Sequence, residues 1–264
     1  MKKRKTGILK WCMALVLLCS VFCTSLGSPV TAEAAAKGLA SYKTVSSEKG
    51  CKIGKTYFYM KYNSSTGKYI VYAKKNGKKR VITKNCGSRN AVTNGKYLYY
   101  GTGTVIPRNP YGSTFRNRKL VRCTVSSRKN KTLKKLSGEG AAWTPIACDG
   151  RYLYYGTAAV YSASAVSNFS VLDQKNGKTK TSNYDASEVR KAGSRVLVSG
   201  NAFPPGRGSI VYLMSRDGKP YQYISLSGIN VRIKGKYIYL SAIGNWGNGL
   251  ESRNFKCTLD GKLA

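Results

Sequence analysis

Apolar and polar positions along this chain fall into short runs, and one run recurs. Its clearest copy is Asn94-Gly95-Lys96-Tyr97-Leu98-Tyr99-Tyr100-Gly101-Thr102, with a near-duplicate at Asp149-Gly150-Arg151-Tyr152-Leu153-Tyr154-Tyr155-Gly156-Thr157. A third reads Lys234-Gly235-Lys236-Tyr237-Ile238-Tyr239-Leu240, and weaker copies begin at Ile53-Gly54-Lys55 and Ala192-Gly193-Ser194-Arg195. Each predicts a tight turn entering a strand. Side chains alternate along a strand, so Tyr97 and Tyr99 point one way and Leu98 and Tyr100 the other. Both faces are therefore apolar, as in a strand covered on both sides. No long run with a 3.6-residue period appears, so helix should be scarce.

The first glycines of the five copies stand at 54, 95, 150, 193 and 235, giving intervals of 41, 55, 43 and 42 residues. Asn76-Gly77-Lys78, Asn176-Gly177-Lys178, Asp217-Gly218-Lys219 and Asp260-Gly261-Lys262 supply a second turn per unit, where the second copy has Arg128-Lys129-Asn130-Lys131. Asn-Gly and Asp-Gly favour the positive φ angles of two-residue hairpins. Several short strands repeated every 40 to 45 residues point to an all-β fold, a five-bladed β-propeller; a plain β-sandwich is the alternative. Tyr42–Ser46 resembles the fourth strands of the units, and is expected to complete the last blade and close the ring, removing open edges.

The Tyr-Leu-Tyr-Tyr-Gly-Thr units resemble the repeats of secreted bacterial β-propeller proteins related to the low-density-lipoprotein-receptor (YWTD-type) propeller. Tyr99 or Tyr154 stands where that pattern has Trp, and Gly-Thr replaces Thr-Asp. Six blades are what the receptor resemblance implies.

Residues 1–36 read as a signal peptide: Lys2, Lys3, Arg4 and Lys5 precede an apolar Trp11–Cys23, and Ala32-Glu33-Ala34 offers a cleavage site. Residues 37–264 then form a single domain, secreted or associated with a cell wall, with no second apolar stretch of spanning length. It carries 41 Lys+Arg against 9 Asp+Glu, a formal charge of +32. Five cysteines remain, Cys51, Cys86, Cys123, Cys148 and Cys257. Their wide spacing leaves two readings open, one or two disulfides or five small buried side chains.

In an up-and-down blade the 1–2 and 3–4 turns share one face. Lys55, Lys78, Lys79, Lys96, Arg151, Lys178, Arg195, Lys219, Lys236 and Lys262 should gather there as an anion-binding ring, facing an anionic cell-envelope polymer or an acidic polysaccharide. Solubility alone is the blander account of the same lysines. The opposite face should carry the long loops, with Arg108, Tyr111, Phe115, Trp143, Tyr161, Phe203, Arg207 and Trp246 as ligand-binding candidates for a sugar or a protein partner. Burial beneath their own loops is the competing account. Nothing points to sequence-specific nucleic-acid recognition.

The chain contains no histidine, which excludes Ser-His-Asp and Cys-His catalysis and His-ligated zinc. No catalytic residue, metal site or cofactor is assigned. Asp185 and Glu188 are the acidic residues closest to a glycosidase pair. An acidic-polysaccharide lyase, using Tyr with Arg or Lys, is the activity that composition disfavours least. The expected function is a non-catalytic binding or scaffold module at a bacterial surface.

Overall fold

The computed structural model describes residues 39, 41–106, 114–158, 166–182, 185–201, 209–245, 250–260 and 262–264. The protein is all-β, and each recurring turn-and-strand copy lies in its own antiparallel unit. The first sheet has the order β2 (Cys51–Ile53), β3 (Thr56–Asn63), β4 (Lys68–Lys75), β5 (Lys78–Cys86). The second contains β6 (Asn90–Thr93), β7 (Tyr97–Ile106), β8 (Thr114–Thr124) and β9 (Asn130–Leu136), with β1 (Lys43–Ser46) added beside β6. The third is β10 (Trp143–Cys148), β11 (Tyr152–Ala158), β12 (Val166–Asp173) and β13 (Thr179–Thr181).

The last two units share a strand. The order is β14 (Glu188–Ala192), β15 (Arg195–Asn201), β16 (Ser209–Ser215), β17 (Pro220–Lys234), β18 (Tyr237–Asn245), β19 (Leu250–Thr258). β17 pairs with β16 through its first half and with β18 through its second, with a register shift between Ser227 and Asn230. The chain thus passes from the fourth unit to the fifth as continuous strand.

Four apolar cores lie between successive units, and the alternation of the tyrosine strands explains them. Leu98 and Tyr100 face the first sheet and pack with Phe58, Met60 and Val71. Tyr99 faces the third sheet and meets Trp143, Leu153 and Tyr155. Tyr154 turns the other way, toward Val196, Val198 and Tyr212, while Leu197 and Leu213 meet Ile238 and Leu240. Burying one such side chain is worth about 1.5–3 kcal/mol. The covered-on-both-sides expectation thus holds for the 97–100 and 152–155 strands.

The ring-closing role expected of Tyr42–Ser46 is overturned. β1 pairs along its whole length with β6, Lys43 opposite Thr93 and Ser46 opposite Asn90. Val45 is fully buried in the first core, and the Tyr42 ring lies 5.9 Å from that of Tyr99. These apolar anchors draw the strand to the second sheet. The last unit uses its own residues: Leu263 bridges to Cys257, and the Ala264 amide donates to the Lys256 carbonyl at 2.9 Å.

The disulfide reading fails for four of the five cysteines, and the buried reading holds for Cys86, Cys123 and Cys148 but not for Cys51, which is half-buried. Cys51, Cys86, Cys123 and Cys148 carry free thiols. Cys86 and Cys123 sit in the first core and Cys148 in the second and third sheets' shared core, where burial pushes the Cys86 and Cys148 thiols up to about 12. Cys257 is buried against the last unit's core.

Turn chemistry is more varied than the motif. Both central residues of Asn76-Gly77 have positive φ, 48° and 76°, as a two-residue hairpin turn requires. At the Gly177 and Gly218 turns, among the described residues, only the glycine does. In the second unit Arg128 occupies the corresponding left-handed position with φ 58°.

Candidate functional site

Hydrogen bonds between turns place both Gly-Lys turn classes at one end of the sheets. The Val125 amide donates to the Lys96 carbonyl, and the Gln174 amide to the Arg151 carbonyl, each at 2.9 Å. Lys55, Lys78, Lys96, Lys178, Lys219, Lys236 and Lys262 are exposed at these turns. The arginines there do different work. Arg151 holds Asp173 at 2.9 Å, and that contact keeps the Asp173 carboxyl below the usual carboxylate range. Arg195 donates to the Asp260 carbonyl at 2.7 Å, across to the last unit. Arg80 reaches from the first sheet to the Val125 carbonyl at 3.0 Å.

The strongest such tie was not legible in the motif. Asp149 has a fully buried side chain, and one of its carboxylate oxygens accepts the Arg151 and Tyr152 amides, at 3.0 and 2.7 Å. The other accepts Arg216 Nε at 2.7 Å, from the fourth unit. What the sequence offers as a turn aspartate is also a cross-sheet ion pair.

Two loop-end candidates are corrected. Phe115 is 1% exposed and lies over Gly87, and Trp143 is 6% exposed, edge-on to Tyr155 at 5.5 Å. Both are core residues: Phe115 belongs to the β7–β8 hairpin, with β7 running to Ile106 and β8 beginning at Thr114, and Trp143 opens β10. Arg108, Tyr111, Tyr161, Phe203, Arg207 and Trp246 lie outside the described residues.

Lys79 is corrected too. It leaves the turn and lies on the outward face of the first sheet, its Nζ 4.1 Å from the centre of the Tyr72 ring. That face is the most distinctive cationic surface described. Register puts Tyr57, Tyr59 and Lys61 on it from β3, with Tyr72 and Lys74 from β4 and Lys52 from β2. Tyr57 stacks on Tyr59 at 5.9 Å and Tyr59 on Tyr72 at 5.0 Å. Lys52, Lys61, Lys74 and Lys79 are all exposed, and no acidic residue occupies an outward position of this sheet. The outward face of the last unit repeats the scheme with Tyr237, Tyr239, Arg232, Lys234 and Lys256. Lys256 Nζ lies 3.9 Å from the Tyr237 ring centre.

Nothing described here favours elimination chemistry. A tyrosine that abstracts a proton needs a lowered pKa, whereas burial pushes Tyr100, in the wall of a cleft between the first and second sheets, up to about 12. Glu188 is paired with Arg190 at 2.6 Å. Among the described residues no cluster of three or more His, Cys, Asp or Glu side chains could hold a metal, and no helix is long and apolar enough to cross a membrane.

No protein-family model and no curated protein matches the sequence. Among solved structures, the chain is similar to TolB from Acinetobacter baumannii, at 16% identity and TM-score 0.37, over 79% of this chain and 50% of that one. It is similar to the Pyrococcus horikoshii acylaminoacyl peptidase at 12% identity and TM-score 0.43, over 81% of this chain and 38% of the other. The β-propeller domain of the Trilobed protease from Pyrococcus furiosus follows at 13% identity and TM-score 0.45, over 80% and 67%. The chain thus spans half or less of the first two. The class of protein is set by the sheets themselves: consecutive antiparallel units packed face to face, a propeller-like all-β arrangement.

Proposed function

We propose that residues 37–264 form a secreted, non-catalytic binding module of five blade-like units that holds anionic polymer at a bacterial surface, residues 1–36 being its signal peptide. One observation carries this reading. The outward face of the first sheet sets four exposed lysines around three stacked tyrosines with no carboxylate among them. Soluble proteins usually intersperse the two signs of charge on a surface. A single-sign face concentrates potential and captures polyanions rapidly. Carboxylates are few, nine in residues 37–264, and five of them, Asp149, Asp173, Glu188, Asp217 and Glu251, are engaged in ion pairs elsewhere.

Co-sedimentation with purified anionic wall polymer across a salt series tests it. Retention should fall about tenfold or more between low and high ionic strength, because screening shortens the reach of exposed charges. Lys61→Glu/Lys74→Glu should release the polymer at moderate salt without changing the melting temperature. Salt-insensitive retention, or full retention by the double variant, would remove this face from the function.

A further inference from the structure

A second feature lies on the opposite side of the first sheet. A cleft of about 740 Å³ opens between it and the second sheet, extending along β7, β8 and β9. Its size is within the range of small-ligand sites, about 300–1,000 Å³. Lys68 reaches it from the first sheet, and Lys119 and Lys135 from the second. Among the described residues, no acidic side chain lines it.

Two of these lysines are badly placed for folding alone. Lys119 and Lys135 are register partners on neighbouring strands, so two like charges sit directly opposite. Such pairs destabilise a sheet. Lys68 is partly desolvated, which pulls its pKa down. An anion between Lys119 and Lys135 would relieve their repulsion.

The neutral groups narrow the ligand. Asn85, Asn117 and Asn130 line the cleft with the hydroxyls of Thr102 and Thr132. The Tyr100 hydroxyl accepts from Thr83 and donates to Asn130 Oδ1, both at 3.2 Å. That fixes the amide carbonyl and leaves its two N–H donors for another partner. Asn117 is held at φ 52° where β8 bulges past Gly103, the register shifting between Thr102 and Thr104. Bulges re-aim side chains and are common beside binding sites. Amides and hydroxyls around a cationic centre match a polyhydroxylated unit that carries one oxyanion.

We propose that this cleft binds an acidic carbohydrate unit, its carboxylate or phosphate seated between Lys119 and Lys135 and its hydroxyls on the asparagine amides. The site deepens the polyanion reading above but is separate from the outward tyrosine face. Calorimetry on the purified protein would compare a glucuronate-containing tetrasaccharide, glycerol 3-phosphate and a neutral glucose tetrasaccharide. Binding of the first identifies a carboxylate ligand, and binding of the second a phosphate; the neutral sugar should bind at least tenfold more weakly. The Asn117 and Asn130 side-chain amide signals should shift in the wild-type protein on titration. Lys119→Gln/Lys135→Gln should weaken binding about tenfold or more while leaving the ligand-free melting temperature unchanged or higher, since it removes a repulsion. Lys61→Glu/Lys74→Glu should lose polymer yet keep the small ligand, so the two sites fail separately. Equal affinity for the neutral sugar, unmoved asparagine signals with both acidic probes, or full affinity in the Lys119/Lys135 variant would overturn the proposal.

Discussion

The same tyrosine motif meets two different fates. Tyr99 and Tyr154, in interior units, are 1% and 0% exposed. Tyr57 and Tyr239, in the first and last units, are 44% and 38% exposed. All four follow a glycine turn, Tyr57 three residues after Gly54 and the others four residues after Gly95, Gly150 and Gly235; what differs is the set of neighbours on the same face. Interior tyrosines look across at Trp143, Leu153 or Val196. The terminal ones share their face with Lys52, Lys61, Lys74 and Lys79, or with Arg232, Lys234 and Lys256. Stacking those two outward faces on one another would gather cations without a carboxylate, each close pair costing on the order of 1 kcal/mol or more. That charge disfavours packing the outward face of the first unit directly on that of the last. The motif therefore specifies a strand, and the facing residues specify whether it is core or surface.

That contrast can be broken most sharply at Gly101. An added Cβ there would lie 1.7 Å from the Trp143 carbonyl oxygen, where β10 crosses the tyrosine strand. Gly101→Ala should cost about 3 kcal/mol or more, read from urea unfolding, because backbone rather than a flexible side chain must yield. A cost below 1 kcal/mol would mean the second and third sheets are not packed this closely.

Asp149→Ala comes next. It strands the Arg216 guanidinium between the third and fourth units and removes the acceptor for two turn amides. Breaking one side of such a pair costs about 3 kcal/mol. Exposed pairs such as Arg253–Glu251 are worth about 1 kcal/mol or less, and Glu251→Ala provides the contrast.

On the outward face, Tyr59→Ala should lower stability by about 1 kcal/mol or less, against about 3 kcal/mol for Leu98→Ala in the first core. Equal losses in thermal melts would mean the outward tyrosines are covered in solution. The smallest expected effect is at Arg128, whose left-handed backbone costs a non-glycine residue about 1 kcal/mol. Arg128→Gly should raise the melting temperature slightly, as in the units that already carry glycine there.

Much of this architecture was legible in the chain. The five copies, their turns and the scarcity of helix follow from local rules: period-two alternation, positive-φ residues and spacing. The two-faced burial of Tyr97–Tyr100 could be read because both of its faces are apolar. Long-range placement could not be. Tyr42–Ser46 has the character of any edge strand, and only the room beside β6, filled by Val45, decides where it pairs. Phe115 looked like a loop aromatic because the extent of the β7–β8 hairpin is set by pairing, not by composition, and Trp143 like a residue between units because only pairing with β11 makes it the start of β10.

What the sequence determined by itself was the repeating element and its charge, because turn chemistry and side-chain alternation act over a few residues. Tertiary structure alone decided which tyrosines are buried, which arginines tie one unit to the next, and that Lys68, Lys119 and Lys135 converge on one cleft. Those outcomes depend on which faces meet, and residues far apart in the chain acquire their electrostatic neighbours only when the sheets pack.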